Sequence, residues 1–203
     1  MAAAVYSVPQ ADIPADELEA ARYLGYKRSA PPDAAVSAMI HDACARLHDV
    51  LRPQAVYDEY ALSVSAEEGI AFADVRLRSV DLGRNLGGCG RVVLFAATVG
   101  AQVDAQIRRA QQFGAGAEAA VMQACGAMFA EAFVDMLNKK VAADAAARGM
   151  KAHPRYSPGY GDVPLSVQRD FFRLLPCGKI GLTLMDTLVM APEKSVTAFV
   201  GLE

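Results

Sequence analysis

Apolar positions recur with two periods along this chain, and the alternation between them lays out the predicted elements. Steps of three and four over Ala11 to Tyr26 predict a first helix, starting at Asp12 or at Pro14-Ala15-Asp16 and stopping at Gly25. Glu17 and Glu19 fall early in it, where the helix dipole favours acids. A second helix follows Pro31-Pro32-Asp33 and runs to about Leu51 through Val36, Met39, Ile40, Ala43, Cys44 and Leu47. The period then drops to two. Val56 to Ser63 and Ile70 to Leu77 carry the alternation and the β-branched and aromatic content of strands, joined by the polar Ser65-Ala66-Glu67-Glu68-Gly69. Asp81 to Leu86 reads as a short helix stopped by Gly87-Gly88, and Arg91 to Thr98 as a buried strand, with Thr98 capping a helix that begins near Gly100.

The longest periodic stretch runs from about Ala115 to Arg148, with Val121, Ala124, Cys125, Met128, Phe129, Phe133, Leu137 and Val141 marking a core helix that Gly149 ends. Glu131 sits beside that apolar stripe, between Phe129 and Phe133. An acid at such a boundary is solvated, paired with a base such as Arg108 or Arg109, or given over to a ligand. Pro164 is expected at a first helical position, opening a helix through Gln168, Phe171 and Leu175. Two last apolar runs, Leu182 to Met190 and Ser195 to Leu202, flank Ala191-Pro192-Glu193-Lys194 and read as a β-hairpin closing the sheet. Clustered strands mixed with helices predict an α+β fold in one domain over residues 1–203.

Charge narrows the function classes. Twenty basic and 23 acidic residues give a net charge of −3 without a basic block, which argues against nucleic acid as a partner. Met1-Ala2-Ala3-Ala4 lacks a basic leader region and no run of about 18 apolar residues occurs, so neither a signal peptide nor a membrane span is expected. The four cysteines, at 44, 89, 125 and 177, form no CxxC pair and suit buried free thiols in the cytoplasm.

Two stretches invite chemical readings that their geometry weakens. His41 and His48 share the second helix, but seven residues at 1.5 Å each put their backbones about 10 Å apart, too far for easy shared coordination. Gly87-Gly88-Cys89-Gly90 follows a helix and precedes a strand, the reverse of the order a nucleotide fingerprint needs.

The most constrained stretch is His153-Pro154-Arg155-Tyr156-Ser157-Pro158-Gly159-Tyr160-Gly161-Asp162-Val163-Pro164. Its prolines fix backbone angles and Pro158-Gly159 is a turn signal, so a rigid, irregular segment presents the Arg155 guanidinium and the Tyr160 phenol. It is equally readable as a connector before the next helix. Arg155-Tyr156-Ser157-Pro158-Gly159-Tyr160 resembles the R-x-x-P-G-Y signature of the S-adenosylmethionine-binding activation domain of cobalamin-dependent methionine synthase. Ala130-Glu131-Ala132-Phe133 resembles that family's A-E-A-F run, and Leu182-Thr183 through Pro192 to Ser195-Val196-Thr197 resembles its C-terminal segment. The similarity covers about the last 80 residues; the first 110 look like a shorter, stand-alone branch.

The resemblance implies a helmet- or C-shaped α+β domain with a central twisted antiparallel sheet flanked by helices, binding S-adenosylmethionine in its concave face. It implies that Arg155 engages the donor's carboxylate, that Tyr156, Ser157, Pro158 and Gly159 line the adenosine, that Tyr160 faces the corrin, and that Glu131 helps hold the donor's cationic end. The implied role is reactivation: reductive methylation of cob(II)alamin on a separate methionine synthase or corrinoid protein. A non-catalytic docking or scaffold module of the same fold is the alternative. The chain lacks the D-x-H-x-x-G motif of cobalamin-binding domains, so cobalamin is expected from a partner protein. It holds no Trp, flavin motif, CxxxCxxC motif or haem attachment site, so the electron is expected from an external flavodoxin- or ferredoxin-like reductant. Val200 stands where the family has a donor-contacting tyrosine, and the family's N-terminal donor-binding acid has no counterpart.

Overall fold

The computed structural model describes residues 3–65, 67, 69–113 and 116–203. Part of the predicted polar connection (Ala66, Glu68), the predicted long-helix start at Ala115 and the first two residues of the Met1–Ala4 run lie outside these. Strand β1 (Ala4–Ser7) leads to a 3-10 turn at Gln10–Asp12 and helix α1 (Glu17–Tyr23). The single helix expected over Ala11–Tyr26 is therefore two pieces. Pro14 is the reason, because it biases Ile13 toward extended backbone, found at φ −80° and ψ 116°. The helix restarts at Asp16, whose carboxylate accepts from the Glu19 amide at 3.0 Å. Helix α2 (Ala34–His48) starts where expected, capped by Asp33 through the Val36 amide, and ends at His48 rather than Leu51.

Strand β2 (Gln54–Ser65) is longer than its alternating core suggested. The strand expected over Ile70–Leu77 is a hairpin of β3 (Gly69–Phe72) and β4 (Val75–Leu77), with Phe72 opposite Val75 and Ala73 at φ +47°. A tight turn built on alanine carries no glycine or asparagine signal, so the apolar run hides it. Helix α3 (Val80–Asn85), strand β5 (Arg91–Thr98) and helix α4 (Ala101–Gln112) follow. Gly100, not Thr98, caps α4: it sits at φ +99°, where a Cβ would lie 2.9 Å from the Arg52 Cβ, and Thr98 Oγ1 accepts its amide.

Helix α5 (Gly116–Ala146) is the predicted core helix, and a 3-10 turn at Leu165–Val167 intervenes between Pro164 and helix α6 (Gln168–Leu174). The predicted C-terminal hairpin is not formed between its two runs. Instead β6 (Thr183–Leu184) pairs with β7 (Met190–Ala191), with Leu188 at φ +65° in the turn, while β8 (Ser195–Leu202) pairs along its whole length with β5. The cause is burial: β8 is apolar on both faces and belongs inside the sheet, whereas the run before it carries Asp186 and Thr187 at its centre.

Every strand pair among the described residues is antiparallel, and the main sheet runs β4-β3-β2-β5-β8, with β1 on the first four residues of β2. In β5, Val93, Phe95 and Ala97 enter one core while Val92, Leu94 and Ala96 enter the other, which is why its sequence reads as a continuous apolar run. Helices α1, α2, α4 and α5 cover the first face; α3, α6 and a 3-10 turn at Cys177–Ile180 cover the second. Each fully buried phenylalanine, such as Phe95, Phe129 or Phe199, contributes about 2 kcal/mol relative to exposure. Helix α5 has the length and apolarity of a membrane span, but 61% of its most apolar window is buried among α1, α2 and α4. It is the core helix of this fold. All four cysteines are free and buried, with the Cys44 and Cys125 sulfurs 3.3 Å apart between α2 and α5.

Candidate functional site

The proline-rich segment is an irregular edge strand. It runs antiparallel to β8, with Lys151 bonded to Glu203 through both backbone groups, the His153 amide donating to the Gly201 carbonyl, and Tyr156 exchanging both bonds with Phe199 at 2.9 and 2.8 Å. Beyond Tyr156 the chain leaves the sheet. Its backbone–backbone hydrogen bonds then turn inward, from the Tyr160 amide to Ser157 and from the Gly159 amide to Val163, as the Pro158-Gly159 turn signal requires, with Gly159 at φ +89°. A cleft of about 600 Å³ opens where this segment peels away from β8, lined by the Arg155–Gly161 turn, Glu131, Gln168, Met190 and β8 residues 195–197. That volume lies within the usual range of small-molecule sites.

Arg155 stands at one end of the cleft with its guanidinium fastened to α5. One terminal nitrogen donates to Asp135 Oδ1 at 2.5 Å and the other to Glu131 Oε2 at 2.5 Å. The two acids are four residues apart, hence neighbours on one helix face. Arg155, rather than Arg108 or Arg109, is thus the base that pairs with Glu131; Arg109 lies over the Phe113 ring. Burial by itself would lower the Arg155 pKa, but the adjoining Asp135 and Glu131 carboxylates outweigh it and hold it above its ordinary value. One cation against two anions leaves the cluster at −1, a local field that favours a cationic group.

The far side of the turn is held by Asp162. Its carboxylate caps α3, accepting from the Ser79 hydroxyl and from the Val80 and Asp81 amides at 2.6 and 3.2 Å, and these donors hold its pKa below the ordinary range. Gly161, at φ +52°, is needed for this closure, because a Cβ there would come within 2.4 Å of both Asp81 Oδ2 and the Tyr156 hydroxyl oxygen. The geometry leaves Tyr160 70% exposed at the mouth. Tyr23 of α1 approaches the same rim: burial, and then the charges of Glu131 and Glu19, push its phenol pKa up.

Two cleft residues were not singled out as site residues by sequence reasoning. Gln168 is 6% exposed and Thr197 1% exposed, and among the described residues neither Gln168 Oε1 nor Thr197 Oγ1 has a hydrogen-bond partner. Their only sequence signal is polarity at otherwise apolar positions of a helix and a strand. Asp135, one turn after Glu131, was likewise missed. Val200 is buried in the helix-side core opposite Val93 and does not line the cleft.

The weaker sequence candidates take structural roles. His41 bonds Glu17 at 2.8 Å on the surface, His48 packs against Phe129, and no group of three or more metal-ligating side chains occurs among the described residues. The glycines at 87, 88 and 90 bring Cys89 against β8, where a Cβ on Gly201 would lie 2.6 Å from its sulfur.

Fold and cleft together define an α+β unit whose open sheet edge, rather than a strand-to-helix turn, carries the pocket. No family model and no curated protein matches the chain. Among solved structures, it is similar to the MetH reactivation domain bound to AdoHcy, with a TM-score of 0.68 over 99% of this chain and 78% of that one, at 14% sequence identity. The chain therefore has the fold of that reactivation domain.

Proposed function

We propose that this protein binds S-adenosylmethionine in the cleft beside Arg155 and supports reductive methylation of cob(II)alamin carried by a separate methionine synthase or corrinoid protein. The observation that supports this reading is a cleft of nucleoside size, in the fold of a domain crystallised with AdoHcy, holding a guanidinium at one end and two buried polar atoms without a partner among the described residues. The residues fit such a ligand. Arg155 supplies the charge-assisted donor a carboxylate needs, Glu131 and Asp135 supply the negative field a sulfonium or ammonium prefers, and Tyr156 to Gly159 form a wall whose backbone is already fixed. The ligand brings a methyl group already activated by its sulfonium charge. The protein's residues therefore need only bind it, orient it and leave its methyl end accessible at the mouth, where Tyr160 is exposed. The corrinoid comes on the partner protein and the electron from a flavodoxin- or ferredoxin-like donor.

Calorimetric titration with S-adenosylmethionine tests the binding step. Saturable binding that Arg155→Ala weakens by at least about tenfold is expected for a lost charge-assisted pair; no binding at millimolar ligand overturns the reading. A second reading, a docking module without donor chemistry, is favoured by one observation: both terminal nitrogens of Arg155 already serve protein carboxylates. It predicts binding to a corrinoid protein without any donor-dependent change in the corrinoid's visible spectrum.

A further inference from the structure

The buried end of the cleft, opposite Arg155, is built to read a hydrogen-bonding edge. Phe171, one turn after Gln168 on α6, meets Phe199 ring to edge at 4.7 Å, and Phe199 lies two residues after Thr197 on the same face of β8. That ring pair anchors α6 against β8, and Gln168 and Thr197 line the same cleft beside it. The backbone adds to this. Phe199 turns its amide and carbonyl to Tyr156, so two-residue alternation turns those of Thr197 to the same edge, where the segment has already left the sheet. The cleft thus collects the Gln168 Oε1 acceptor, the Thr197 hydroxyl, and a Thr197 backbone N–H and C=O for which no backbone partner occurs at that edge among the described residues.

Leaving such groups unpaired costs about 1–3 kcal/mol each, which a ligand carrying matched partners recovers. An anion does not match, because the carbonyl oxygens would repel it. A planar edge with an amino donor next to a ring-nitrogen acceptor does match, and Met190, Val196 and Pro158 supply apolar surface for its ring faces. From Arg155, beside the Tyr156–Phe199 bridge, to Thr197 is two to three strand residues, about 7–10 Å, the reach of a nucleoside with a short charged tail. We infer that Gln168 and Thr197 are the specificity-determining pair of this cleft and select the amino edge of adenine. This rests on the reading of the cleft as an S-adenosyl site, but it concerns the base alone.

The test uses adenosine and inosine, which carry no carboxylate and so bypass Arg155. In inosine the amino group is replaced by a carbonyl and the adjacent ring nitrogen becomes a donor, inverting the pattern. Ligand-detected NMR titration of the intact protein should show adenosine binding at least about tenfold tighter than inosine, the size of one or two misplaced hydrogen bonds. Thr197→Val and Gln168→Leu should each remove most of that preference without lowering the thermal midpoint, because they delete an unpaired buried polar group. Arg155→Ala should leave the preference intact. Equal binding of the two nucleosides, no binding of either, or a preference that survives both substitutions overturns the inference. If S-adenosylmethionine binding depends on Arg155 while both nucleosides bind alike, the S-adenosyl reading stands and this one falls.

Discussion

Replacing Asp135 by asparagine should tighten, not weaken, the binding of a carboxylate ligand. Asp135 holds one terminal nitrogen of Arg155 at 2.5 Å, and a ligand carboxylate that takes a two-pronged grip on the guanidinium must displace it or Glu131. Asp135 is the more easily displaced, with its side chain 58% exposed against 39% for Glu131. That exposure also limits the effect: pairs of this kind are worth about 0.2–1 kcal/mol after solvent screening. Removing the competing charge should then raise affinity for S-adenosylhomocysteine by about 1.5- to 5-fold. For S-adenosylmethionine the gain should be smaller, because Asp135→Asn takes the Arg155 cluster from −1 to neutral and weakens its attraction for the sulfonium. Calorimetry with both ligands at low and moderate salt reads the difference, and the gain should shrink as salt rises. Weaker binding of S-adenosylhomocysteine by Asp135→Asn would refute the reasoning, since it would show that Asp135 orients Arg155 for the ligand instead of competing with it.

Gly161→Ala should destabilise the protein by about 2–4 kcal/mol in urea unfolding, the sum of a left-handed alanine and the overlap of its Cβ with Asp81 and Tyr156, and should weaken ligand binding with it. An unchanged midpoint would contradict the described closure of the turn. His153 donates from Nδ1 to the Asn85 carbonyl at 2.7 Å and lies 3.1 Å from Glu203, and these contacts, the carbonyl first, raise its pKa above the ordinary 6.5. Its contribution is therefore complete below pH 6.5 and lost as pH rises through the raised value, so stability should fall across that window and the fall should be smaller in His153→Gln. The surface pair His41–Glu17 has the same sign and should account for part of the remaining slope. A slope identical in wild type and variant would remove His153 from the explanation.

Much of this protein was legible before any contact was known. The apolar run of β5, the periodic α5, the start of α2 after Pro31-Pro32-Asp33 and the rigidity of the Pro154–Pro164 segment are local facts, written in neighbouring residues, and the structure carries all of them. So is the pairing of a conspicuous arginine with a conspicuous turn, which drew attention to Arg155 and Tyr160. What the local pattern misjudged was partnership. Nothing near Ser195 says that β8 lies against β5, about a hundred residues earlier, rather than against the adjacent run; burial on both faces decides that. Nothing near Arg155 says that Asp135 joins Glu131 in holding it, since the contact exists only once α5 and the Arg155 segment have packed together. The unpaired atoms of Gln168 and Thr197 are the clearest case. A polar residue in a sequence is neither satisfied nor orphaned until a helix and a strand have closed over it, because hydrogen-bond satisfaction belongs to the assembled packing and to no single segment.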